Sequence, residues 1–216
     1  MNHYPIEPTF FPISRYQKSF HDYDFFYSAD GDGYWPEHHC KITWKLAEPY
    51  CAQLNNQNAI DVGCRDGEFT RYLQFAFQHV YCFDPRPMQR FADNVDLKKV
   101  THFTCALGDK IGPISMSGGQ HNLTVGTKHL VDCFTLDSFS LNNIGIIKID
   151  VEGFEKKVLL GGKKTIIRNK PIIIIEQNDI TISGEKKFSA LKWLENMNYK
   201  LVAKCPRGWD HILIHR

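Results

Sequence analysis

From residue 58 onward, short apolar runs alternate with amphipathic stretches of helical length. "NAIDVG" predicts a buried strand ending at Gly63, and "GEFTRYLQFAF" predicts a helix, with Phe69, Leu73 and Phe77 recurring every four residues. "HVYCFD" is the next strand, "PMQRFADNV" a short helix and "VTHFTCAL" a third strand. Residues 108–136 are rich in Gly, Ser and Thr, so they read as short strands or a loop over a site. "GIIKID" predicts a strand, "EKKVLLGGKKTIIR" a helix interrupted by Gly161 and Gly162, and "PIIIIEQ" a strand buried on both faces. "GEKKFSALKWLENMN" predicts a helix with Phe188, Leu191 and Leu194 as its apolar positions.

The tail breaks this rhythm. "YKLVAKC", "PRG" and "WDHILIHR" read as two strands joined by a tight turn at Pro206, Arg207 and Gly208. A turn that short makes them antiparallel, because parallel neighbours need a long crossover. The expected fold is therefore α/β: a mostly parallel, Rossmann-like sheet of seven strands with helices on both faces, finished by a C-terminal hairpin. This order resembles the class I methyltransferase architecture; a dehydrogenase sheet would continue with a parallel strand.

Residues 1–57 carry twelve aromatics between Phe10 and Tyr50. They read as an N-terminal extension that packs on or caps a domain spanning 58–216, being too short for a core of their own.

Composition narrows the class. With 216 residues, 43% hydrophobic and 23% charged, the chain can bury one sizeable core. A net charge of +2 and the absence of a long basic run give no expectation of a nucleic-acid partner. Seven cysteines, an odd number without a C-x-x-C pair, fit a reducing, cytoplasmic setting. The first residues lack a secretory pattern, and no apolar run reaches the roughly 18 residues of a membrane span.

The chemistry gathers at strand ends. "AIDVGCRDGEF" places Asp61 two residues before Gly63, with Gly67 further on. A pyrophosphate would want G-x-G-x-x-G at such a turn, and an acid would repel it. S-adenosylmethionine presents an ammonium and a sulfonium instead, which suits an acidic turn. Asp84 ends the second strand, 21 residues after Gly63, close to the roughly 20 expected for a carboxylate that accepts ribose hydroxyls. Taken singly, each feature is also an ordinary turn.

In order, "AIDVGCRDGEFT", "YCFDPRP", "CALGD", "LDSF", "IIKIDVEGFEKKVLLGG" and "PIIIIEQ" resemble the FkbM-type methyltransferases, over residues 58 to about 177. The resemblance implies S-adenosylmethionine-dependent methyl transfer to a hydroxyl of a sugar or other small metabolite. It implies cofactor contacts from Asp61, Gly63, Arg65, Gly67, Asp84, Ala106 and Leu107. Cys64 and Arg65 depart from the Ala-Asn common in such families; Arg65 can meet the cofactor carboxylate, Asp66 or Glu68.

Asp150, Glu152 and Glu176 end neighbouring strands and should border one crevice. Together with His121 in the Gly-rich stretch, they are the candidate bases or acceptor ligands. Three acids can also hold Mg²⁺, although no metal is expected. Glu152 can instead cap the following helix. Asp30-Gly31-Asp32 resembles a glycosyltransferase D-x-D but comes before any β/α unit, and the histidines of "PEHHC" lack a second zinc-spaced cluster. A non-catalytic binding domain is the other reading. The acceptor and oligomeric state are open.

Overall fold

The structure, a computed structural model, describes residues 4–11, 16, 25–27, 33–34, 39–86, 88, 90–118, 123–125, 129–177, 186–206 and 209–216. In chain order its elements begin with β1 (Phe25–Phe26), β2 (Gly33–Tyr34) and α1 (His39–Cys51). There follow β3 (Asn58–Val62), α2 (Thr70–Ala76), β4 (His79–Asp84), α3 (Phe91–Asn94) and β5 (Val100–Thr104). Then come β6 (Ala106–Leu107), β7 (Gly112–Gly118), β8 (Leu123–Val125), β9 (His129–Phe134) and a 3₁₀ turn at Leu136–Phe139. The chain ends with β10 (Ile144–Ile149), α4 (Glu155–Gly161), α5 (Lys163–Asn169), β11 (Ile172–Glu176), α6 (Ser189–Asn196), β12 (Tyr199–Lys204) and β13 (Asp210–His215).

The main sheet has the order β12-β13-β11-β10-β3-β4-β5. The five strands from β11 to β5 pair in parallel, and β13 joins β11 and β12 antiparallel. The expected hairpin is present; Arg207 and Gly208 of its turn lie outside the described residues. The apolar runs explain the centre of the sheet. β10 is buried at every position, and Ile173, Ile174 and Ile175 of β11 are fully buried, one face against each helical layer. One layer packs Val158, Leu159, Ile166, Ala190 and Leu194 of α4 to α6 on the sheet. The other packs Trp44 and Ala47 of α1 with Phe69, Leu73 and Phe91.

Three expectations shift. The run "VTHFTCAL" divides after Thr104, and Ala106–Leu107 pair with β9 in a second, four-stranded sheet of order β6-β9-β7-β8. The Gly-rich stretch is thus largely a small sheet. The long helix expected around Gly161 and Gly162 divides into α4 and α5. A Cβ on Gly161 would lie 1.9 Å from the Gly108 carbonyl oxygen, so glycine there permits backbone-to-backbone contact with a distant turn. The new helix start is served by Asp137, whose carboxylate accepts from the Lys164 and Thr165 N–H groups at 3.0 and 2.8 Å. Finally, α6 starts at Ser189, later than the sequence pattern suggests.

The described part of the N-terminal segment wraps the open edge of β5. Tyr4 and Ile6 pack on one face of the sheet and Phe11 on the other. Between them, the Thr9 N–H bonds the His102 carbonyl at 2.7 Å, which extends the edge strand. His102 is 2% exposed, and its Nδ1 lies 2.9 Å from the Thr9 hydroxyl. Burial lowers its pKa to about 3. The unfolded chain therefore takes up a proton on His102 below its ordinary value while the folded chain does not, so its contribution falls as pH drops. Asp61 and Glu68, raised by burial to about 6 and 7, act in the opposite sense over an overlapping window. The test is thus a difference. The stability advantage of wild type over His102→Gln, from urea unfolding, should shrink by up to about 1.4 kcal/mol per pH unit between pH 6 and 4. A constant difference would show that the ring does not titrate.

Candidate active site

The carboxyl ends of β3, β4, β10 and β11 open onto one cleft of ≈ 280 Å³. The strand order makes this the switch point of the sheet, where chains leave β3 and β10 in opposite directions. Gly63 forms its floor with φ +82°; a Cβ there would meet the Asp150 carbonyl oxygen at 1.8 Å. Only glycine allows the two strand ends to come this close. The turn is tied to β4 by the Gly63 N–H on the Phe83 carbonyl at 2.8 Å.

At one end stands Asp84. Its two carboxylate oxygens accept from the Arg65 and Arg86 backbone N–H groups at 3.1 and 2.9 Å. Burial raises its pKa, and those two N–H groups oppose the rise. Each oxygen keeps a second lone pair for a ligand hydroxyl. Arg65, Ala106 and Leu107 line the same end. The Arg65 guanidinium pairs with Glu68 at 3.6 Å, and the backbone of Arg65 is left-handed at φ +43°. Cys64 packs in the core beneath, so the unusual "GCRDG" does not fill the cleft with a thiol.

At the other end Asp150, Glu152 and Glu176 converge with His39, Trp209 and Asp210. The network's centre is Lys148, a strand residue 2% exposed. Its Nζ lies 3.1 Å from Asp150 Oδ2 and 3.2 Å from Asp210 Oδ1. Asp210 Oδ2 also accepts from the Thr43 hydroxyl at 2.7 Å. Burial works to raise the Asp150 pKa, but Lys148 and a hydrogen bond with Glu176 bring it down to about 2. Glu176 moves the other way, to about 10, through burial and the bond and charge of Asp150. The two shifts are opposed, and the Lys148 ammonium beside Asp150 favours the charged form of that residue, so a proton shared by the pair is favoured on the Glu176 side. Burial and Asp150 also raise Glu152.

Several expected residues sit elsewhere. Asp61 is buried beneath the turn, where its Oδ2 accepts from the Thr70 hydroxyl at 2.6 Å; it does not line the cleft. Gly67 faces Phe91 and Val95 of the helical layer. His121 lies outside the described residues. Glu152, left-handed at φ +54°, does not cap α4. Its neighbour Glu155 ties that loop: Oε1 accepts from Gly153 N–H at 2.9 Å and Val151 N–H at 3.4 Å, and Oε2 from the Gln177 side chain at 3.3 Å. Lys148, His39 and Trp209 escaped sequence reasoning. Lys148 did leave a signal, the one cation inside the apolar run "GIIKID".

A glycine turn, a strand-end carboxylate 21 residues on and a hairpin-closed parallel sheet define a methyltransferase fold. The Methyltransferase FkbM domain model matches residues 38–201, and the chain belongs to the FkbM family of S-adenosylmethionine-dependent methyltransferases. It is 27% identical over 184 residues to 2-O-methyltransferase NoeI of Sinorhizobium fredii (strain NBRC 101917 / NGR234), covering 69% of this chain and 74% of the relative. Methyltransferase FkbM from Methylobacillus flagellatus KT superposes with a TM-score of 0.54 at 20% identity; the match covers 74% of this chain and only 43% of that one. Precorrin 8W decarboxylase from Methanobacterium thermoautotrophicum superposes at 0.51 with 19% identity, covering 88% and 95%. Likenesses at these identities concern the fold, which the decarboxylase shares.

Proposed function

We propose that the chain transfers the methyl group of S-adenosylmethionine to a hydroxyl of a small acceptor, sugar-sized or similar. The observation that carries this is the division of one cleft into two chemically different ends. Asp84, held by two backbone N–H groups, suits a ribose diol; the acid cluster around Lys148 suits a hydroxylated acceptor. The cofactor supplies an electrophilic methyl group on a sulfonium. The protein's part is to hold acceptor oxygen, methyl carbon and sulfur in line.

Within that reading the acids divide their roles. A carboxylate with a pKa of about 2, such as Asp150, is a weak base, and Glu176 already carries its proton. Asp150 then orients the acceptor through a charged hydrogen bond. Glu152, half-buried on the cleft wall and shifted toward neutrality, takes the proton from the hydroxyl. Among the described residues no group of three His, Cys, Asp or Glu side chains is arranged for a metal, and Lys148 already occupies the centre of the acid network.

Calorimetry with S-adenosylhomocysteine, NAD and a UDP-sugar tests the cofactor assignment; binding of NAD or the UDP-sugar alone would reject it. Asp84→Ala should weaken S-adenosylhomocysteine binding by about 1–3 kcal/mol, the range for hydrogen bonds to a charged group. Unchanged affinity would mean that Asp84 only organises its own turn.

A further inference from the structure

The hairpin start places an aromatic face where the acid cluster opens to solvent. Trp209 lines the cleft and is 56% exposed. Its backbone is held on the C-terminal side. The Trp209 carbonyl accepts from Gln177 N–H at 3.1 Å, and the next residue, Asp210, is fixed by Lys148 and Thr43. That support keeps a large apolar surface in water, against the hydrophobic effect that favours its burial. The exposed Phe10, Phe75, Phe188 and Tyr50 do not line the cleft.

Beside the indole the chemistry changes sharply. Asp150 and Glu152 line the same cleft as the indole and present hydrogen-bond acceptors, while Arg65 and Arg86 are tied to Asp84 by their backbone N–H groups. A flat apolar face bordered by acceptors fits a six-membered ring with an apolar face and a hydroxylated edge. An anionic ring would meet repulsion from the carboxylates.

We infer that Trp209 is the stacking platform of an acceptor subsite. It takes an uncharged, hydroxylated six-membered ring, laid on the indole with its hydroxyl edge toward Asp150 and Glu152. The inference rests on the methyl-transfer reading and gives the acceptor its shape. The ring chemistry has two sources, a pyranoside or a phenolic ring, and the test separates them.

The chain has four tryptophans, so the indole N–H signals of ¹⁵N-labelled protein are few, and Trp209→Phe assigns that of Trp209. Protein saturated with S-adenosylhomocysteine is titrated with a set of methyl hexopyranosides in one arm and with catechol in the other. The expected result is a saturable shift of the Trp209 signal in one arm. Affinity for that probe should fall tenfold or more in Trp209→Ala and stay within about threefold in Trp209→Phe, which keeps a ring face. Both variants should bind S-adenosylhomocysteine as wild type does, which also shows that they fold. A silent Trp209 signal in both arms, or a probe affinity indifferent to Trp209→Ala, overturns the inference. Failure of wild type to bind S-adenosylhomocysteine would instead reject the methyl-transfer reading beneath it.

Discussion

Lys148→Met should destabilise the fold by about 3–5 kcal/mol, the range for removing one member of a buried ion pair. Methionine keeps most of the side-chain volume, so the loss reports charge more than packing. Lys148 is 2% exposed, and both Asp150 and Asp210 depend on its ammonium. Burial works to lower its pKa, but the two carboxylates prevail and raise it well above the ordinary lysine value. Without it, Asp210, 3% exposed, keeps the Thr43 hydroxyl but loses its cation. A second change provides the control. Asp210→Asn in the Lys148→Met background should recover part of the stability, because it removes the stranded charge. Urea unfolding without added cofactor measures both. A loss under about 1 kcal/mol in the single variant would mean that solvent or rearranged partners replace the lysine.

The strands were legible where burial on both faces leaves a pure apolar run, as in "GIIKID" and "PIIIIEQ", and the short turn before Trp209 disclosed the hairpin. Features set by contacts distant in sequence were not. Gly161 and Gly162 read as a weakness in one helix, but the Gly108 carbonyl lies against one and Asp137 supplies the N-terminal bonds of the next helix. β6 and β9 pair across more than twenty residues with little period-2 patterning, so the stretch between them read only as short strands or a loop, and β6 as the end of the preceding strand. In the site, the ends of β3, β4, β10 and β11 were predictable because parallel topology gathers them. Asp61 lies beneath the turn and outside the cleft lining, because its partner, Thr70, is set by how α2 folds back on the turn. His39 and Trp209 reach the cleft from α1 and the hairpin, outside the motifs that drew attention, and Lys148 becomes an ion-pair centre only once β13 brings Asp210 beside it.

The acid pair supports a sharper contrast than either residue alone. On the proposed assignment, Asp150→Asn should lower methyl transfer by about 10²-fold or more, while S-adenosylhomocysteine affinity stays within a few-fold. The substitution keeps shape and removes charge; Lys148 retains Asp210, so the fold should survive. Glu176 should respond differently. Burial and the Asp150 charge raise its pKa, to about 10, and on this assignment it carries the pair's proton and donates to Asp150. Glu176→Gln replaces one neutral donor by another and should leave turnover within a few-fold, whereas Glu176→Ala leaves Asp150 without that donor and should lower it. Chemically similar amide substitutions on adjacent strands would thus have opposite outcomes, because one carboxyl group is charged and its neighbour is not. Transfer of labelled methyl from S-adenosylmethionine to the acceptor reads all three variants. If Glu176→Gln is as damaging as Asp150→Asn, Glu176 works as a carboxylate and the proton sits elsewhere. If Asp150→Asn is fully active, the two acids only end their strands, and deprotonation and orientation of the acceptor fall to Glu152 and His39, which line the same cleft.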